Sequence, residues 1–107
     1  MIYINLEQFK TFDEKIFVGR DRGIEIRKKL QLDVLEEKND IIIVLLPMDI
    51  WTINPSFFRG LFEQSVEKYK EKFWDKYKFL YFDNSELKKS VRDSIEYDFA
   101  YILTFLE

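Results

Sequence analysis

The chain has 107 residues, 47% apolar and 35% charged, which is the size of one domain and the composition of a globular one. Its net charge of −3 offers no broad basic footprint for a polyanion. It contains neither Cys nor His, which excludes disulfides, thiolate nucleophiles, Cys-ligated zinc and an imidazole base or ligand.

The opening residues, MIYINLEQFKTF, lack the long apolar run of a signal peptide. The longest apolar stretch, Ile41 to Pro47, is too short to cross a bilayer, so a cytoplasmic setting is the expectation. Aromatics reach 18%, which means a bulky core, an exposed binding surface, or both.

Ile2 to Leu6 alternate apolar and polar positions, the period of a half-buried strand. Ile16-Phe17-Val18 is a second extended piece, ending at Gly19. Gly23, Ile26, Leu30 and Val34 then recur at three- and four-residue steps, which predicts an amphipathic helix over residues 20–36. Asp40 to Pro47 is an unbroken β-branched and apolar run, expected to be a central strand covered by helices on both faces. Asp49 to Ile53 reads as a connector. Asn54 followed by Pro55 is a helix start: the Asn side chain accepts from an otherwise free N–H, and Pro has none to leave unsatisfied. Phe58, Leu61, Phe62, Ser65, Val66 and Tyr69 share one face of the helix that follows, to about residue 71. Lys78 to Phe82 forms a short strand. Asp83 to Glu86 turns into a last helix, Glu86 in its first turn, with the stripe Leu87, Val91, Ile95, Phe99, Ile102 and Leu106.

The order β-β-α-β-α-β-α predicts a single α/β domain over 1–107, with about three helices packed on a mixed sheet. Ile43, Val44, Leu45, Phe58, Leu61, Phe62, Val91, Ile95 and Phe99 are the expected core.

Two segments resemble the STAS-like domains, relatives of the bacterial anti-anti-sigma-factor domains. Phe17-Val-Gly-Arg-Asp-Arg-Gly-Ile-Glu-Ile-Arg27-Lys-Lys-Leu30 is similar to the family's Gly/Ser-Arg turn opening a helix. Ile41 to Phe62 is similar to its strand–Ser–helix unit. In the anti-anti-sigma relatives an Asp-Ser-Ser-Gly turn carries a Ser phosphorylated by a partner kinase. Ser56 takes that place here, with Asn54 for the Asp, Pro55 for the first Ser and Phe57 for the Gly. The resemblance implies a non-enzymatic interaction module with no cofactor. Its partner would be a protein, such as a histidine-kinase-like ATPase or a sigma-factor regulator, docking at the start of the second helix. Trp51, Asn54, Ser56, Phe57 and Arg59, with Arg20, form the expected partner-binding surface, and Ser56 the phosphorylation site.

Each candidate has a plainer reading beside it. Ser56 at a helix start would sit among free N–H groups with its hydroxyl in solvent, where Ser56→Asp leaves stability unchanged; equally, Ser is ordinary there. Gly19, Arg20, Arg22 and Gly23 form either an anion site or a close helix–sheet contact flanked by solvated arginines. The stretch Lys68 to Lys78 interleaves lysines with aromatics, the chemistry of single-stranded nucleic-acid binding. Glu67, Glu71 and Asp75 dilute its charge, which makes nucleic acid the weaker reading. Pro47-Met-Asp49 and Glu86-Leu-Lys88 match the Asp and Glu-x-Lys elements of Mg²⁺-dependent nucleases, which requires the two carboxylates to converge on a metal. Glu86 alternatively serves a helix's first turn. No other metal set stands out.

Overall fold

Helical crossovers organise the chain in the computed structural model, which describes residues 1–106. The strands are β1 (Ile2–Asn5), β2 (Ile16–Phe17), β3 (Ile42–Leu46), β4 (Thr52–Ile53) and β5 (Tyr77–Tyr81). The helices are α1 (Arg20–Leu30), α2 (Leu32–Glu36), α3 (Pro55–Tyr69), α4 (Phe73–Lys76) and α5 (Lys89–Leu106). Short 3-10 turns follow β1 and α3. The strands form two small sheets, ordered β1-β3-β5 and β2-β4, and every ladder is parallel. The mixed sheet expected from the sequence is therefore corrected. Between β1 and β3 the chain passes through α1 and α2, and between β3 and β5 through α3 and α4. Each such crossover returns it to the end where it began, so neighbouring strands run the same way.

β3 is buried along its whole length, as its apolar run requires. Ile42, Val44 and Leu46 point into the main core with Phe58, Phe62, Phe73 and Ile95. Ile43 and Leu45 face the opposite way and lie outside that cluster. On the same side, Tyr3 and Phe82 are about half exposed, at 51% and 50%. Ile43 and Leu45 are nonetheless buried, so both faces of β3 are covered, as the run predicts. All nine expected core residues are buried.

Among the described residues α2 and α4 add to the three helices expected, and three further readings depart from the sequence pattern. The helix over 20–36 breaks at Gln31, whose left-handed backbone (φ 54°) sends its N–H to the carbonyls of Arg27 and Lys28. The break shifts the helical phase, so Leu32 is buried and Val34 is exposed. Thr52–Ile53 pairs with Ile16–Phe17 as β4, inside the stretch read as a connector. Glu86 lies before α5 and not in its first turn. The preceding loop is closed by Ser85 on Asp83, by the Tyr81 N–H on the Ser85 carbonyl, and by Tyr81 Oη accepting from the Lys88 N–H.

α1 and α3 cross backbone against backbone at Gly23 and Gly60. A Cβ on Gly60 would fall 2.0 Å from the Arg20 carbonyl oxygen, and one on Gly23 2.4 Å from that of Phe57. Only glycine permits this approach. Of the two readings of Gly23, close packing is the one realised, though against a helix and not a sheet. The crossing sets Arg20 of α1 beside the first turn of α3.

Candidate docking site

Helix α3 begins as its sequence dictates. Asn54 is extended, its Oδ1 accepts from the Ser56 N–H at 2.9 Å, and Pro55 occupies the first turn. The Asn54 N–H bonds to the Phe17 carbonyl at 2.9 Å. Ser56 Oγ donates to Asn54 Oδ1 at 2.7 Å and accepts from the Gly19 N–H at 3.2 Å. Gly19, at φ +101°, ends the β2 segment and caps α1. The Ser56 hydroxyl thus stitches the starts of α1 and α3 together. It is not the free, solvent-directed hydroxyl expected from the sequence.

Beside this stitch, Arg20, Asn54, Pro55, Ser56 and Arg59 line an open cavity of about 410 Å³ whose other wall is Tyr97 and Tyr101 of α5. Glu63, one turn beyond Arg59, bonds Arg59 Nε and lies 3.7 Å from Arg20 Nη2. Two guanidiniums therefore share one carboxylate. The Arg59 guanidinium also stacks on Phe105, 4.3 Å from the ring centre. Tyr97, Tyr101 and Phe105 form an exposed ladder up α5, with centroids 6.3 and 5.0 Å apart.

Four of the six expected docking residues thus meet at one cavity: Arg20, Asn54, Ser56 and Arg59. Trp51 is 65% exposed, precedes β4 and does not line the cavity. Phe57 is corrected. It is fully buried, stacked on Phe17 at 4.9 Å, with the Arg22 guanidinium over both rings. Helical spacing puts Phe57, Leu61 and Ser65 on one inward row and Phe58, Phe62 and Val66 on the next. The face expected from the sequence takes Leu61 and Ser65 from the first row but begins at Phe58, which leaves Phe57 to the surface. Sequence reasoning also missed Tyr97, Tyr101 and Phe105. Their four-residue spacing was a second stripe on α5, legible beside the inward one.

The remaining polar groups have other partners. Arg22 bonds Glu14 and the Phe9 carbonyl, and its pairing holds the Glu14 carboxyl below its usual range. Asp49 is engaged by Lys15 at 2.8 Å and Lys10 at 3.4 Å, which lowers its carboxyl in turn. Glu86 lines a different, larger cavity of about 500 Å³ between β5 and α5, where Asp49 has no part. That cavity is walled mainly by apolar groups such as Trp74, Phe79, Leu87 and Ile95. Among the described residues, no three His, Cys, Asp or Glu side chains gather as a metal site. In the lysine–aromatic stretch, Phe73 and Tyr77 are buried and Tyr69 and Trp74 pack on the core, so its rings face inward.

A buried polar cluster, unforeseen in the sequence, ties α1, α2, α3 and β5 together. Arg27 donates to the Leu61 carbonyl and Ser65 Oγ, each at 2.8 Å, and to Asp33 at 2.7 Å. Glu36, 3.6 Å from Arg27, accepts from Ser65 and from Tyr77 Oη at 2.5 Å. Burial and the Glu36 carboxylate hold the Tyr77 phenol far above its ordinary value, so it remains a neutral donor. On α5, Asp98 is buried with one carboxylate oxygen unpartnered, and burial pushes it up to about 7.

Among the described residues, no helix is long and apolar enough to cross a membrane. No family model, curated protein or solved structure matches the chain.

Proposed function

We propose that this chain is a non-enzymatic protein-interaction module of bacterial regulatory type, STAS-like in character and cytoplasmic in setting. It docks a partner protein at the start of α3, the class of partner being a histidine-kinase-like ATPase or a sigma-factor regulator. The observation that carries this reading is the convergence of Arg20, Asn54, Ser56 and Arg59, from two helices and a connector, on one open cavity beside exposed aromatics. Arginine and tyrosine in an accessible depression are the residues that dominate protein interfaces. Trp51 extends the surface at its margin, while Phe57 supports it from beneath. Phosphorylation of Ser56 is not needed for docking, since a phosphate there would displace the bonds to Gly19 and Asn54.

The test is quantitative affinity capture from the native host with the parent chain and with an Arg20→Glu/Arg59→Glu variant. A protein enriched by the parent and lost with the variant supports the reading. A capture profile identical for both removes the cavity from partner binding.

A further inference from the structure

We infer that the docking segment of the partner is acidic, and that one of its carboxylates enters the cavity between Arg20 and Arg59 in place of Glu63. Apolar side chains flanking that carboxylate lie along the ladder of Tyr97, Tyr101 and Phe105. The inference rests on the docking reading and adds the partner's chemistry to it.

Charge balance is the first argument. Arg20 and Arg59 have one carboxylate between them, so the cavity keeps a net positive charge in a chain of net charge −3. Glu63 meets the two guanidiniums unequally: it bonds Arg59 but stays 3.7 Å from Arg20. A carboxylate arriving from outside can satisfy both with planar two-point geometry. The first turn of α3 at the same cavity adds a favourable potential for negative charge.

The second argument is the ladder. Three aromatic rings at four-residue spacing stay exposed, Tyr97 at 63%, Tyr101 at 41% and Phe105 at 48%, while the opposite face of α5 is buried. The Arg59 guanidinium is already seated on the last ring. Apolar contacts and a carboxylate site therefore run continuously, which fits a segment alternating acidic and apolar residues.

A nucleic-acid strand fits less well. Its phosphates repeat, whereas the positive charge here is confined to two side chains. With Glu63 at the cavity the two guanidiniums leave a surplus of one positive charge, which suits a single carboxylate and not a run of phosphates.

The experiment is a ¹⁵N–¹H titration of the whole chain with three synthetic peptides of equal length and a ten-residue oligothymidylate. One peptide alternates Asp/Glu with Leu/Phe, the second carries Asn/Gln and the third Lys at the acidic positions. The acidic peptide is expected to shift the signals of Arg20, Asn54, Ser56 to Arg59, Tyr97 and Tyr101. Arg20→Gln and Arg59→Gln each weaken it. Glu63→Gln, which frees both arginines, tightens it about two- to five-fold, the range of an exposed ion pair. Thermal melts of the three variants establish that each is folded. Equal binding of the amide peptide at the same signals overturns the acidic chemistry while leaving the docking face intact. Tighter binding of the oligothymidylate, or a Glu63→Gln variant that binds more weakly, also overturns the inference. No shift with any peptide ends it as well, and the docking reading is then decided by the capture experiment alone.

Discussion

Gly60→Ala should loosen the whole molecule and the docking site with it. The added methyl would lie 2.0 Å from the Arg20 carbonyl oxygen, 2.9 Å from its carbon and 3.0 Å from the Ile24 nitrogen. Comfortable non-bonded contacts begin near 3.5 Å, so α1 and α3 must separate by about 1.5 Å. All three obstructing atoms are backbone and cannot swing aside as a flexible side chain would. Overpacking of this kind costs about 1–3 kcal/mol, and here the upper end applies. Alanine's helix preference returns about 1 kcal/mol. The net loss is therefore about 2 kcal/mol or more. With a urea dependence of about 2 kcal/mol per molar, the unfolding midpoint should fall by about 1 M. The same separation should move Arg20 away from Glu63 and weaken partner capture. A midpoint that stays put, or rises by the helix-preference gain, refutes the backbone crossing and the placement of Arg20 that depends on it.

Ser56→Ala removes two hydrogen bonds and should cost about 1–2 kcal/mol in a thermal melt. Ser56→Asp, which faces the Asn54 oxygen with an acceptor, should melt below the parent too; a melt that coincides with the parent shows the hydroxyl to be free. Arg27→Met should cost about 3–5 kcal/mol in urea, because it leaves Glu36 buried without its counter-charge. A small loss there would show that Lys68, 3.8 Å from Glu36, suffices as a partner. Asp98 supplies a pH test. Its carboxyl is raised to about 7, against about 3.9 in an unfolded chain. Between about pH 4 and pH 7 the folded chain keeps a proton that the unfolded chain has lost, so stability should fall as pH rises through that window and level off above it. Asp98→Asn should flatten the slope and exceed the parent in stability at pH 8; a parent slope that survives the substitution places its origin elsewhere.

Local chemistry was the legible part of this sequence. Asn54 and Pro55 specify the start of α3 by capping alone, and the structure uses both as read. The apolar run of β3 and the inward row Phe58, Leu61 and Phe62 needed only burial and periodicity. What failed depended on partners distant in the chain. Gln31 takes a left-handed backbone that nothing in its neighbours announces. Two-residue β4 exists only because β2 lies beside it. Arg27 and Glu36 are buried only because α3 and β5, far along the chain from both, close over them. At the candidate site, Arg20 and the α3 start could be named from local motifs. The stripe of Tyr97 and Tyr101 was legible in the four-residue spacing of α5, but not its place opposite Arg20 and Arg59, since α5 arrives from some forty residues further along the chain.

Open surfaces among the described residues include the arginine–tyrosine cavity, the apolar groove beside β5, and the sheet face carrying Tyr3 and Phe82. The claim that the first is where a partner docks is tested most directly by a ¹⁵N–¹H footprint of the captured partner on the labelled chain. The account predicts shifts concentrated at Arg20, Asn54, Ser56 to Arg59, Tyr97 and Tyr101, with the Trp51 indole at the margin. A footprint on the β5 groove or on the Tyr3–Phe82 face, with the cavity signals unmoved, contradicts it.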